Sequence, residues 1–296
     1  MDVKDYRKSY EDQLAAAAAQ RNETAARPGL SGAEAGGSVI RSFRNALRTP
    51  MTHDEFNDNV RQLIATLQNS ALTTQIRLAA LQALKALAFL GDKFAPFRAE
   101  YLAALRQIAR PGVDPELCEK ALEVLAAEKD PDAQDLLRRG LRDPKSALVS
   151  AAKALQFLSY DDHSNVADLA FSIFNQLPDL GAKEAALRVL GTNPKSQDLF
   201  ANLLKDKNQP LSLRTLSATG LHLLNPQKFA DIAQQIVGDH SDSEDIRASS
   251  LGALANTLTD HALQTNSNFQ NLVRQLGADN SLQNLSAAAR RMLPKL

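Results

Sequence analysis

Histidines, cysteines and clustered carboxylates are the side chains that most often hold metals or move protons, and here they are scattered. The five histidines never stand four residues apart, and no His-Glu-x-x-His or Cys-x-x-Cys spacing occurs. The densest cluster, Asp161–His163, falls in a predicted turn, where Asp ordinarily caps a helix. The acidic segment Ser241–Asp245 lacks the alternating ligands and central glycine of an EF-hand, so we interpret it as a helix start. The sequence predicts no metal site.

The single cysteine, Cys118, does not resemble a nucleophile. It lies on a predicted helix between Glu116 and Glu119, and nearby carboxylates raise the pKa of a thiol and disfavour its reactive thiolate. No Gly-x-Ser-x-Gly, Walker or Gly-x-Gly-x-x-Gly pattern is present. We therefore predict no catalytic residue and no cofactor, and expect that the protein is not an enzyme.

Charge and composition limit which binding partners, fold class and cellular location the sequence favours. The 296 residues carry 34 basic and 34 acidic side chains, so no net field draws the chain to nucleic acid or to an anionic membrane. No apolar run approaches the roughly 20 residues that span a bilayer. Tryptophan is absent and only 5% of residues are aromatic, which favours helices packed through Leu and Ala over a sheet. We expect a cytoplasmic protein with no membrane segment.

The first 37 residues differ from the rest of the sequence. Their alanine run, Ala15–Ala19, is short and follows Glu11 and Asp12, where a secretion signal would carry positive charge. The segment lacks a leucine stripe and ends in a glycine-rich stretch. We predict a flexible N-terminal tail over 1–37 and a helical domain over 38–296.

Helix starts in this domain are marked by an Asx residue followed by proline. The Asx side chain accepts a bond from a free backbone N–H, while proline at the first helical position sacrifices no bonded N–H. Such pairs are Asp114-Pro115, Asp130-Pro131, Asp143-Pro144, Asn193-Pro194 and Asn225-Pro226. In addition, Thr52 and Glu55 have the spacing of a capping box.

The helical segments repeat along the chain. A leucine that follows a patch of small residues recurs about every 35 residues, from Leu84 to Leu254, and this interval holds two helices and two turns. The apolar periodicity predicts seven helical pairs: 54–68 with 73–90, 94–109 with 115–129, 131–142 with 144–158, 164–176 with 181–191, 196–205 with 211–224, 227–237 with 244–258, and 266–276 with 282–293.

The pattern of these pairs resembles the HEAT-repeat family of armadillo-like α-solenoids. The resemblance is clearest in Leu136-Leu137, Leu141, Asp143-Pro144, Val149, Ala151-Ala152 and Ala154-Leu155. It implies an all-α, right-handed α-α superhelix of about seven helical pairs. The signatures of tetratricopeptide and ankyrin repeats, which have a similar period, do not occur.

The resemblance also implies a function. In HEAT-repeat proteins the second helix of each pair lines the concave face, and that face holds a partner. We therefore expect a non-catalytic scaffold or adaptor that binds a protein or peptide, with acidic partners favoured and nucleic acid disfavoured. The positions expected to contact the partner are Arg77, Lys85, Lys153, Arg188, Arg214, His222 and Arg247.

Some proteins of HEAT-like build are enzymes, and one such alternative stays open. The deoxyhypusine hydroxylase group holds iron through His-Glu dipeptides, and this sequence has none. HEAT-like DNA glycosylases need a basic face lined with aromatic residues, which the composition disfavours. A lyase or enzyme accessory subunit, similar to the phycobilin lyases, remains the alternative. The sequence leaves the partner's identity and the oligomeric state open.

Overall fold

A computed structural model describes residues 36–39, 41, 52–161, 166–257 and 266–295. All regular structure in these ranges is helical and none of it is strand, which confirms the predicted all-α class. Apart from Gly36 and Gly37, the predicted tail lies outside the described residues. The chain divides into two compact units, Met1–Val149 and Ser150–Leu296.

In the Met1–Val149 unit, residues 36–39 and 41 are helical, and the helices described from residue 52 onward are α1 (His53–Gln68), α2 (Thr74–Ala88), α3 (Arg98–Ile108), α4 (Pro115–Ala127) and α5 (Pro131–Arg142), with 3-10 turns at Gly91–Lys93, Ala95–Phe97 and Pro144–Ser146. Within this unit α1 packs on α2 and α3 on α4. The two pairs also pack on each other, α1 against α3 and α2 against α4, and α4 contacts α5.

In the Ser150–Leu296 unit, the helices of the described residues are α6 (Ala151–Leu158), α7 (Ala167–Gln176), α8 (Leu180–Leu190), α9 (Gln197–Lys205), α10 (Leu211–Leu224), α11 (Pro226–Gly238), α12 (Glu244–Thr257), α13 (Ser267–Ala278) and α14 (Gln283–Met292), with 3-10 turns at Pro194–Ser196 and Leu293–Lys295. Here α7 packs on α8, α9 on α10, α11 on α12 and α13 on α14. The helices α6, α8, α10, α12 and α14 each pack on the next in that order.

The predicted caps account for several of these helix starts. Thr52 and Glu55 exchange bonds, Glu55 N donating to Thr52 Oγ1 over 3.2 Å and Thr52 N to Glu55 Oε2 over 3.0 Å. Asp114 Oδ1 accepts from the backbone N–H of Glu116 at 3.0 Å and of Leu117 at 3.2 Å. Asp130 and Asn225 cap α5 and α11 in the same manner. Each cap satisfies N–H groups that have no partner inside the helix.

One predicted helix, 144–158, is wrong in its first half. The other predicted ends differ from the observed ones by no more than four residues. In the 144–158 segment, Asp143-Pro144 begins a 3-10 turn, as Asn193-Pro194 does further along the chain. The α-helix of this segment starts only at Ala151, and its cap is Ser150, whose Oγ accepts from Lys153 N at 3.3 Å. The backbone of Ala147 is extended and lies against Gly140, so close that a Cβ on Gly140 would stand 3.0 Å from Ala147 Cα. The close packing onto α5 thus accompanies the break in the helix.

The pair α9 and α10 is held by an equally close approach. The fully buried ring of Phe200 on α9 lies over Gly220 on α10, where a Cβ would meet ring atoms at 2.8 Å. Gly220 is therefore required by packing rather than by backbone conformation. Gly252 on α12 offers the opposite case, because it is exposed and a Cβ there would meet nothing within 4 Å.

We predict opposite effects of alanine at these two helical glycines. Gly220→Ala should lower the free energy of unfolding by about 1–3 kcal/mol, because the added methyl overpacks the core against Phe200. Gly252→Ala should raise it by about 0.5–1 kcal/mol, because alanine is the better helix former. Urea unfolding followed by circular dichroism measures both. Equal effects of the two substitutions would contradict the packing described for Phe200.

Candidate functional site

The seven positions expected to contact a partner differ widely in exposure. Arg188 is exposed, while Arg77, Lys85, Lys153 and His222 are half-buried. Arg214 and Arg247 are 3% and 2% exposed, so the expectation that they face solvent is wrong. At least these two of the seven side chains are therefore not available on an open surface.

Arg214 is buried because it joins three separate segments. Its Nε donates to the carbonyl of Leu204 at 3.0 Å, near the end of α9, where carbonyls have no partner inside the helix. Its Nη1 and Nη2 donate to the two carboxylate oxygens of Asp242, and each of these bonds is 2.6 Å long. This fork-shaped pair links α10 to the turn between α11 and α12. The hydrogen bonds from Arg214 hold the pKa of Asp242 below its ordinary value, although burial acts in the opposite direction.

The bond from an arginine Nε to a helix-end carbonyl recurs. Arg77 donates to Leu67 O over 2.9 Å, and Arg247 donates to Val237 O over 3.1 Å. In all three cases the carbonyl lies ten residues before the arginine. We call Arg77, Arg214 and Arg247 the clamp arginines, since each ties the start of a second helix to the end of the first helix of its pair.

A turn of fixed form precedes each clamp arginine. Eight residues before each clamp arginine stands an Asx residue, whose side-chain oxygen accepts a hydrogen bond from the backbone N–H two residues further on. The accepting and donating residues are Asn69 and Ala71, Asp206 and Asn208, and Asp239 and Ser241, each at a distance of 3.0 Å. The spacing from Asx to Arg is visible in the sequence and is the signal that the sequence analysis missed. It predicts a structural bond for each of these arginines, from its Nε to the end of the preceding helix.

The other predicted positions also have close neighbours. Lys85 on α2 pairs with Glu123 on α4 over 3.2 Å, and Arg188 pairs with Glu184 along α8 over 3.5 Å. The His222 ring lies 5.1 Å from the ring of Phe229. Burial raises the pKa of Glu123, but hydrogen bonds from Lys120 and Lys85 outweigh it and bring the pKa below its ordinary value. Acidic neighbours thus neutralise part of the positive charge at the predicted positions.

A different surface is exposed along one face of α10. Leu211, Thr215, Thr219 and Leu223 are all exposed and follow one another at four-residue steps, so they share one face of the helix. Leu223 is 71% exposed. The two threonine hydroxyls donate back to the carbonyls of Leu211 at 2.9 Å and Thr215 at 3.1 Å, which turns these polar groups to the helix itself. We call these four residues the leucine–threonine face.

The neighbouring helix of the layer, α8, also carries an exposed leucine. Leu180 is the first residue of α8, as Leu211 is of α10, and it is also exposed. Arg188 is the exposed cation on α8. Sequence reasoning passed over these leucines because a leucine at helical spacing is ordinarily assigned to the core.

The remaining candidates for chemistry have structural surroundings. Burial raises the pKa of the Cys118 thiol, so burial rather than the flanking glutamates is the main cause of that shift. Ser243 Oγ accepts from Ile246 N at 3.4 Å ahead of α12, in agreement with the capping role expected of Ser241–Asp245. Asp162 and His163 lie outside the described residues.

Within the described ranges, no three His, Cys, Asp or Glu side chains come close enough together to hold a metal ion. No helix in those ranges combines the length and apolar character needed to cross a membrane.

Comparisons with known proteins do not assign this chain to a class. No protein-family model matches the sequence. A search of curated proteins also found no match.

The buried pair of Arg214 and Asp242 predicts a pH-dependent contribution to stability. Because the folded-state pKa of Asp242 is lowered, the contribution is complete above the ordinary Asp pKa of about 3.9 and is lost as the pH falls through the folded value. Asp242→Asn should cost about 3 kcal/mol or more at pH 7, since it leaves a buried guanidinium without its counter-charge. The free energy of unfolding of the Asp242→Asn variant should then fall less steeply below about pH 4 than that of the unsubstituted chain.

Asp198→Asn is the matched control for this experiment. Asp198 also accepts a bond of 2.6 Å, from Lys228, but its side chain is 88% exposed against 2% for Asp242. Solvent screens an exposed pair, so this substitution should change stability little. Urea midpoints of the three chains between pH 2.5 and 7 measure the difference, and equal losses in both variants would contradict the role given to burial.

Proposed function

We propose that the chain is a HEAT-like, right-handed α-solenoid of about seven helical pairs that serves as a non-catalytic protein-binding scaffold or adaptor in the cytoplasm. The observation that carries the proposal is the order of contacts in the Ser150–Leu296 unit. There, α6, α8, α10, α12 and α14 form one layer in which each helix packs on the next, and α9 packs on α11 in the other layer. Contacts between consecutive pairs are what a solenoid requires.

The clamp arginines support the repeat interpretation. The two in the Ser150–Leu296 unit, Arg214 and Arg247, make the same bond to carbonyls in the same place on the preceding helix. Arg290 in the last pair makes a related bond, to the carbonyl of Gly277 over 2.9 Å. A local bond that returns in successive pairs is the structural counterpart of a sequence repeat.

The leucine–threonine face is the best-supported place for the partner. Its polar groups are engaged within α10, so what remains toward solvent is leucine side chain and threonine methyl. Burying one leucine side chain contributes about 1.5–3 kcal/mol, and Leu180 on the neighbouring helix extends the surface. We propose that a protein or peptide partner lies across α8 and α10, with an acidic group near Arg188.

Site-specific photocrosslinking tests this assignment. A benzoylphenylalanine at Thr219 should capture a discrete partner from native extract, because it stands within the leucine–threonine face. Leu211→Ser combined with Leu223→Ser should reduce that product at least tenfold. Both leucines are exposed, so the pair should shift the free energy of unfolding by no more than about 0.5 kcal/mol per substitution.

The control probe is placed on the other layer. Gln235 on α11 is exposed, and the same probe there should not yield the product seen from Thr219. Equal yields from both positions, or a Thr219 product that survives the double leucine substitution, would refute the leucine–threonine face as the partner site.

A further inference from the structure

A polar cleft of about 530 Å³ lies in the Met1–Val149 unit, where the turns of its two helical pairs meet. Arg77 and Arg110 line it, together with Gln107, Thr74 and Asp114. Arg77 is half-buried and held by the bond from its Nε to Leu67 O, whereas Arg110 is exposed. The cleft thus carries two cations and a single carboxylate.

The surroundings of Arg214 show what Arg77 lacks. The residue immediately before Ser243, which caps α12, is Asp242, and its carboxylate binds both terminal nitrogens of Arg214. The residue in the corresponding place before Asp114, which caps α4, is Val113, and Val113 lines the cleft. The carboxylate that completes the one clamp is therefore replaced by an apolar side chain and open space at the other.

A second difference adds positive charge. Four residues before the cap of α12 stands Asp239, and four residues before the cap of α4 stands Arg110. Asp114 accepts bonds from the N–H groups of Glu116 and Leu117 through Oδ1. Among the described residues, the Arg77 side chain donates one hydrogen bond, from Nε to Leu67 O. Its Nη1 and Nη2 have no protein acceptor among those residues.

The electrostatics of the cleft agree with this geometry. Burial lowers the pKa of the Arg77 guanidinium, and the positive charge of Arg110 lowers it further, while Asp114 opposes both. Two like charges that share a cleft are stabilised by an anion between them. A guanidinium fork matches the oxygen spacing of carboxylates and phosphates.

We propose that this cleft binds an oxyanion, a phosphate or carboxylate group, between Arg77 and Arg110, in the place that the Asp242 carboxylate takes at Arg214. Gln107 and Thr74 supply further hydrogen-bond donors at the wall of the cleft. The site lies in the Met1–Val149 unit and does not depend on the leucine–threonine face, so its test is independent of the proposed scaffold function.

Calorimetric titration of the full chain with inorganic phosphate, and separately with malonate, tests the proposal at constant ionic strength and pH 7. At least one of the two anions should bind, and the tighter one identifies the group that the site prefers. Arg110→Gln should weaken that binding at least tenfold, because it removes a charged donor that no described fold contact uses. Arg142→Gln, which removes an exposed arginine outside the cleft, should leave the affinity within twofold.

Val113→Asp is the sharpest variant. It places a carboxylate where Asp242 stands at the other clamp, so the chain should supply its own anion and lose binding of the added one at least tenfold. The melting temperature should then no longer rise with phosphate or malonate. Failure of both anions to bind, or binding that Arg110→Gln leaves unchanged, would overturn the proposal whatever the effect of Val113→Asp.

Discussion

The structure depends on one constraint: a pair of these helices cannot bury its apolar residues alone. On α2, for example, Ile76, Leu81 and Leu84 are buried together with several alanines. These buried residues occupy a wider part of the helix surface than the side that faces α1. The remaining apolar surface is buried because α4 packs against it. The same holds along the layer from α6 to α14, where each helix between the ends has a neighbour on both sides. Small side chains such as Gly220 allow the close approach that this packing needs.

The polar groups impose a second requirement. The last carbonyls of each first helix accept no hydrogen bond from within that helix. The clamp arginines donate to one such carbonyl in each of three pairs. Once the Nε is used, the rest of the guanidinium needs an acceptor, and the three clamps differ in what they find. Arg214 has the Asp242 carboxylate, Arg247 has a buried Nη2 with no acceptor among the described groups, and Arg77 faces a cleft. One repeated element therefore completes a buried ion pair at Arg214 and lines a cleft at Arg77.

Much of the fold could be predicted from the sequence because its signals are local. Asp114-Pro115 and Asn225-Pro226 begin helices through bonds that involve only the next few residues. Asp143-Pro144 has the same local signal and yet begins a 3-10 turn, next to the backbone contact between Ala147 and Gly140. The sequence does not display that contact directly. Helix ends decided by neighbours are accordingly where the prediction was wrong.

The candidate site was harder to predict for a related reason. Arginine and lysine on a helix are ordinarily solvated, so Arg214 and Arg247 were expected on an open face. Their burial follows from a carbonyl ten residues earlier and, for Arg214, a carboxylate 28 residues later. Conversely, Leu223 fits a core pattern and is exposed because no described helix covers that side of α10. In both cases a contact between elements, present or missing, reverses what the residue type alone predicts.

The central claim is that consecutive helices of one layer follow one another in line, and distances between spin labels test it most directly. Arg188, Thr219, Gly252 and Arg291 are exposed and stand at the same place on α8, α10, α12 and α14. With Cys118→Ala as background, labels at these positions should lie progressively farther from the one at Arg188, by about 8–10 Å per helix. A separation between Arg188 and Arg291 that is no longer than that between Arg188 and Gly252 would mean that the helices close into a bundle, and it would contradict the account.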